Sequence, residues 1–137
     1  MAFDGPTDDR LAIHELVAAY GDAVSRNDPV DWGATWAEDA VWELPNIPEL
    51  GTMVGRKSIV ENWIEAMKPL PLNVNIQTLG GLKIEGDTAV GRTWASETVV
   101  YDADTSLVAT GLYDDEFVKI DGRWYFQRRV YTALHST

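Results

Sequence analysis

The chain has 137 residues, 45% of them hydrophobic and 24% charged, the length and make-up of one globular domain spanning 1–137. Eleven basic against 22 acidic residues leave a formal charge of −11, which argues against nucleic acid or an anionic membrane as a partner. The absence of cysteine removes disulfides and thiol chemistry, no run approaches 18 apolar residues, and the acidic start has no apolar leader core, so a cytoplasmic protein is expected.

In chain order, residues 1–8 hold Gly5 and Pro6 and read as a flexible arm, with Asp8 or Asp9 as the cap of the helix that follows. Ile13, Leu16, Val17, Tyr20 and Val24 recur at helical spacing and predict a helix over 9–26, stopped by Asn27-Asp28-Pro29. A second helix is expected over 29–38, with Trp32 and Trp36 one turn apart, then a short strand over 40–44. The prolines and glycines of 45–55 read as a loop, and Ile59, Trp63 and Met67 give one face of a helix over 58–68.

The second half changes period. Strands are expected at 73–85, 88–101, 107–120 and 123–134, separated by Glu85-Gly86-Asp87, Asp102-Ala103-Asp104 and Asp121-Gly122. Helices first and an antiparallel meander second make an α+β fold: a cone-shaped curved sheet wrapped by three N-terminal helices, with a cavity inside the cone.

Several motifs, in order and spacing, carry a resemblance over nearly the whole chain. They are Ala12-Ile13, Leu16 and Tyr20; Trp36 to Trp42; Gly55 with Ile59; Glu85 to Ala89; Gly111, Tyr113 and Asp115; and Asp121 to Trp124 with Arg129. Together they resemble the SnoaL-like family within the nuclear-transport-factor-two-like superfamily, which includes scytalone dehydratase, bile-acid 7α-dehydratase, a dehydrochlorinase, polyketide cyclases and steroid isomerases. The resemblance implies a small apolar substrate in the cone, proton transfer without a cofactor, and a sheet face buried in a homodimer or higher homo-oligomer. The dehydratase-type members use an Asp and a His with an assisting Tyr. Here the Asp position is Ser25, the His falls at Asn75, and only Tyr20 is retained.

With that pair replaced, carboxylates are the remaining candidates for acid–base work in an apolar cavity. Strand alternation puts Ala89, Gly91, Thr93, Ala95 and Glu97 on one face, Tyr113, Asp115 and Phe117 on another, and Trp124, Phe126 and Arg128 on a third. The apolar members turn those faces inward, so Glu97, Asp115 and Arg128, with Tyr20, form the expected catalytic set. Asp115 with Arg128 reads equally as a structural tie between strands. Trp42, Trp94, Tyr113, Asn75, Phe117 and Phe126 are the expected ligand contacts, while Trp32, Trp36, Trp63 and Trp124 read as core.

Two distant histidines, His14 and His135, and no cysteine give no metal constellation, so neither metal nor cofactor is expected. The apolar loop Pro45 to Leu50 is either a lid over the cavity or part of an oligomer contact. Two functions remain open at this level. One is a cofactor-independent lyase, isomerase or hydrolase acting on a small hydrophobic, cyclic molecule. The other is a non-catalytic binding or assembly module of the same fold.

Overall fold

A computed structural model describes Met1–Thr137. Three helices, α1 (Thr7–Ser25), α2 (Pro29–Gly33) and α3 (Arg56–Met67), pack on a seven-stranded sheet. Its strands are β1 (Phe3–Asp4), β2 (Trp36–Leu44), β3 (Gly51–Val54), β4 (Leu72–Glu85), β5 (Thr88–Val100), β6 (Ser106–Ile120) and β7 (Arg123–Ser136). Their spatial order is β1-β4-β5-β6-β7-β2-β3. The four long strands form the expected antiparallel meander, and β2 joins it by running parallel to β7. This is the expected α+β cone: a large, curved, unclosed sheet with its helices on one face.

Local chemistry explains the elements. In α1 the stripe Ile13, Leu16, Val17, Tyr20, Ala23 and Val24 is buried, as the 3.6-residue period requires. Asp28 accepts from the Val30 and Asp31 amides and caps α2, whose first residue is Pro29. The β6–β7 hairpin turns through Asp121 (φ 51°) and Gly122 (φ 79°), the left-handed pair that a two-residue hairpin needs.

Several boundaries differ from expectation. The arm is not loose, because Phe3 and Asp4 pair with Leu82 and Lys83 of β4. Neither Asp8 nor Asp9 caps α1: Pro6 holds that position, and Asp9 instead accepts from Trp124 Nε1 at 2.9 Å and Lys119 Nζ at 3.0 Å. The Trp124 and Lys119 bonds hold the Asp9 carboxyl below its ordinary pKa and tie α1 to the last hairpin. Helix α2 stops at Gly33, and Trp36 begins a strand, not a helical turn. The loop 45–55 contains β3, which pairs with β2.

One irregularity sets the site. On β6 and β7, Phe117 pairs with Phe126 but Glu116 pairs with Arg128, so Gln127 is an extra residue on β7. This bulge reverses the alternation beyond it. Trp124 and Phe126 face inward as expected, and Arg128 then faces out while Arg129 faces in. The neighbouring strand supports the bulge: the Phe126 amide bonds the Thr35 carbonyl at 2.8 Å, and Gln127 Nε2 donates to Asp39 Oδ1 at 3.2 Å.

Candidate active site

A cavity of about 220 Å³ opens into one end of the cone. Of the 16 residues lining it, 13 are hydrophobic, and the polar remainder is Asn73, Asn75 and Glu97. Helix α1 contributes Tyr20 and Val24; α3 contributes Trp63 and Met67; the strands supply Trp42, Tyr113 and Tyr131. Ile47 and Leu50, from the loop between β2 and β3, also line it. Asn46 Oδ1 accepts the Ala133 amide at 2.9 Å and fastens that loop to β7.

Glu97 is the single charged residue of the lining. Strand β5 keeps an unbroken register with β6 from Thr88 to Val100, so its alternation delivers Glu97 to the inner face with Thr93 and Ala95. Asn73 Nδ2 donates to Glu97 Oε1 at 3.1 Å, and Asn75 Nδ2 donates to Oε2 at 2.8 Å. Gln77 Nε2 in turn donates to Asn75 Oδ1 at 2.9 Å. Burial pushes the Glu97 carboxyl above its ordinary pKa, and the two amides oppose the shift. The two asparagines alternate on β4 with exposed Ile76. Asn73 was missed in the sequence, although it shares Asn75's face at two-residue spacing.

Helix α1 fixes Asn75 from behind. The Asn75 amide donates to Ser25 Oγ at 2.9 Å, and a Cβ at Gly21 would sit 2.8 Å from the Asn75 carbonyl oxygen. Only glycine lets the helix approach this closely. Ser25 and Asn75, standing where the family resemblance has its Asp and His, are thus joined to each other.

The other expected carboxylate lies elsewhere. Asp115 is fully buried and takes two bonds from Arg129, Nε to Oδ1 at 2.7 Å and Nη2 to Oδ2 at 3.0 Å, with a third from the Thr93 hydroxyl at 2.7 Å. Burial pushes this carboxyl up, and the guanidinium and hydroxyl hold it back; the bidentate geometry is that of an ionised pair. Glu97 lies four residues beyond Thr93, about 13 Å along the strand. Asp115 and Glu97 are therefore not a coupled pair, and Asp115 belongs to the floor of the cone, outside the cavity lining.

Arg128 does not join them. Its side chain is 44% exposed and bonds Glu43 at 2.9 Å and Glu116 at 3.4 Å on the outer surface, because the Gln127 bulge turns it away. Arg129 takes the inner place. Its guanidinium lies 3.7 Å from the Tyr113 ring centroid, 4.2 Å from Phe126 and 4.5 Å from Tyr20.

The expected ligand contacts divide. Trp42, Tyr113 and Asn75 line the cavity. Phe117 and Phe126 are buried with ring centroids 5.2 Å apart, but they fill the core below the cavity and do not line it. Trp94 is 46% exposed on the outer face, since it alternates with inward Thr93 and Ala95. Tyr131, which unbroken alternation would set on the face opposite Phe126, lines the cavity because the same bulge shifts its parity. Burial raises the pKa of Tyr20 and of Tyr131, and raises that of Tyr113 further, so all three hydroxyls remain protonated donors at neutral pH. His14 and His135 are exposed, and no group of three metal-ligating side chains is present.

Gly111 makes the space for Tyr131, because any Cβ there would overlap its ring. Gly111→Ala is expected to displace Tyr131 and cost about 1–3 kcal/mol by overpacking. Urea unfolding of the variant checks this, and an unchanged midpoint would contradict the packing.

The profile of the SnoaL-like domain matches residues 6–130. The chain belongs to the SnoaL-like family. It is 28% identical over 127 residues to the uncharacterized protein Rv2910c of Mycobacterium tuberculosis, covering 90% of this chain and 84% of that protein. Its fold is similar to the crystal structure of a putative scytalone dehydratase from Novosphingobium aromaticivorans, with a TM-score of 0.85 and 20% identity over 95% of this chain and 87% of that one. It is also similar to a hexachlorocyclohexane dehydrochlorinase, LinA type 2, with a TM-score of 0.84 and 20% identity over 95% and 88% of the two chains. These likenesses establish the nuclear-transport-factor-two-like cone. No helix of this chain is long and apolar enough to cross a membrane.

Proposed function

We propose that this SnoaL-like protein is a cofactor-independent enzyme of lyase or isomerase type, in which Glu97 moves a proton on a small hydrophobic molecule held in the cone. The observation that carries the reading is the Glu97 carboxyl group, bonded by Asn73 and Asn75 amides, as the only carboxyl in a cavity otherwise lined by apolar and aromatic side chains. In the ionised form, Glu97 takes a proton from a carbon of the substrate. The electron pair left behind then forms a double bond, either expelling a leaving group or shifting an existing bond. Tyr20 and Tyr113 hydroxyls, and the Trp42 indole N–H, which has no partner in the protein, stabilise the charge that develops on the departing or carbonyl oxygen. Asp115 and Arg129 serve beneath as the tie that holds the tyrosine rings.

The names of the similar structures, a dehydratase and a dehydrochlorinase, support an elimination or a related proton transfer. The test is incubation of wild type and Glu97→Gln with a panel of cyclic alcohols, halides and ketones, read by mass spectrometry. Product from wild type and none from the variant supports the reading. Equal product from both overturns it.

One observation favours a second reading. Ser25 and Asn75 stand where the family resemblance has its Asp and His, and a hydroxyl and a carboxamide do not exchange protons at neutral pH, so that acid–base route is closed. A ligand that binds in the cavity and is recovered unchanged from every incubation would make the protein a binding module. Homo-oligomer formation belongs to the proposal as well: Trp94, Ile76 and Val108 are exposed apolar residues on the outer sheet face. Trp94→Arg is expected to lower the mass seen by analytical ultracentrifugation, and an unchanged mass would count against that contact.

A further inference from the structure

One acidic side chain, Glu97, lines the cavity, and no basic one does. Arg129, the nearest buried cation, is committed to Asp115 by two bonds and does not line the cavity, and Arg128 is outside. Both Asn73 and Asn75 present N–H groups to Glu97, the arrangement that suits a carboxylate. A carboxylate so held lacks a counter-ion.

A second, independent feature points the same way. Asn73 is 6% exposed, lines the cavity, and its Oδ1 has no hydrogen-bond partner. A buried acceptor without a donor carries a cost that a ligand N–H would relieve. The walls suit a cation too. Arg129 already lies against Tyr20 and Tyr113, while Trp42, Trp63 and Tyr131 line the cavity without it. Aromatic faces attract an organic ammonium once water is excluded. The net charge of −11 adds a field that draws cations toward the mouth and repels anions.

We propose that the ligand of this cavity is a small organic amine, bound as its ammonium, with the N–H groups shared between Glu97 and Asn73 Oδ1 and the hydrocarbon part against Trp42, Trp63 and Tyr131. This deepens the preceding reading and rests on it for the identity of the site. It names the substrate class: a cyclic or aryl-bearing amine, in preference to the isosteric alcohol or carboxylate.

The experiment uses the intact protein and three probes of similar shape, benzylammonium, benzyl alcohol and benzoate, titrated at neutral pH and low salt with isothermal calorimetry and indole fluorescence. Benzylammonium is expected to bind at least about tenfold more tightly than benzyl alcohol, with no benzoate binding. Glu97→Gln is expected to bring benzylammonium and benzyl alcohol within about twofold of each other, and Asn73→Leu to reduce the preference for the amine in part. Absence of benzylammonium binding, benzyl alcohol binding as tightly, or a preference that survives Glu97→Gln would each overturn the proposal. The catalytic reading fails separately: a cation preference without turnover of any amine leaves this inference standing and removes that one. Turnover of neutral substrates that requires Glu97, with no cation preference, does the reverse.

Discussion

Glu97→Gln is expected to reduce turnover by about 10²–10⁴-fold, the usual contribution of a positioned general base. The fold should survive the change. A glutamine at 97 can accept from Asn75 through its oxygen, and Asn73 can turn its amide to offer Oδ1 to the new NH₂, because that oxygen has no other partner. Burial raises the Glu97 pKa, so the folded protein holds this proton more tightly than the unfolded chain. Ionisation of Glu97 therefore subtracts stability as pH rises from the ordinary carboxylate range through its raised value. Glu97→Gln removes that penalty, and its unfolding midpoint at neutral pH should equal or exceed that of wild type. The activity profile of wild type should fall on the acid side, with a limb above the ordinary glutamate range, since the base must be ionised. Full activity in the variant, or an acid limb in the ordinary range, would contradict this assignment.

Arg129→Met is expected to destabilise the protein by about 3–5 kcal/mol, because it leaves the Asp115 carboxylate buried with only Thr93 as a partner. Arg128→Met, one residue away, should cost no more than about 1 kcal/mol, since its ion pairs with Glu43 and Glu116 are exposed to water. Urea denaturation of the two variants compares them directly. The contrast follows from the Gln127 bulge alone, so equal effects, or a larger loss in Arg128→Met, would mean that the inner and outer faces of β7 are assigned wrongly. A double variant, Asp115→Leu with Arg129→Met, should recover much of the loss, because a charge is no longer stranded.

What could be read from the sequence depended on whether alternation ran unbroken. Along β5 it did, from Thr88 to Val100, and the inward direction of Glu97 follows from the small and β-branched residues beside it. The same parity places Trp94 outside, so its assignment as a cavity wall conflicted with the placement of Glu97 in the sequence itself. Along β7 the alternation breaks at Gln127, and nothing within Arg123–Ser136 signals it. The bulge is stabilised by Thr35 and Asp39, almost ninety residues earlier in the chain. Those two tertiary contacts account for both Arg128 and Tyr131. Phe117 and Phe126 point inward as expected, but alternation gives direction and not depth. The cavity occupies one end of the cone, and the rings of these two pack in the core outside its lining. The hairpin turns, by contrast, are local, and Asp121-Gly122 appears where its left-handed φ angles require it.

In the proposed role, Glu97 exchanges a proton with a carbon atom of a molecule in the cavity. The most direct measurement is solvent deuterium incorporation: wild type and Glu97→Gln are incubated in D₂O with a panel of cyclic ketones and β-substituted cyclic amines, and label at carbon is read by mass spectrometry. Exchange is visible even where no net product accumulates. Wild type is expected to introduce deuterium at one carbon position of at least one compound, and Glu97→Gln is expected to introduce none. Labelling that is equal in the two proteins, or absent from wild type for compounds shown by calorimetry to occupy the cavity, would contradict it.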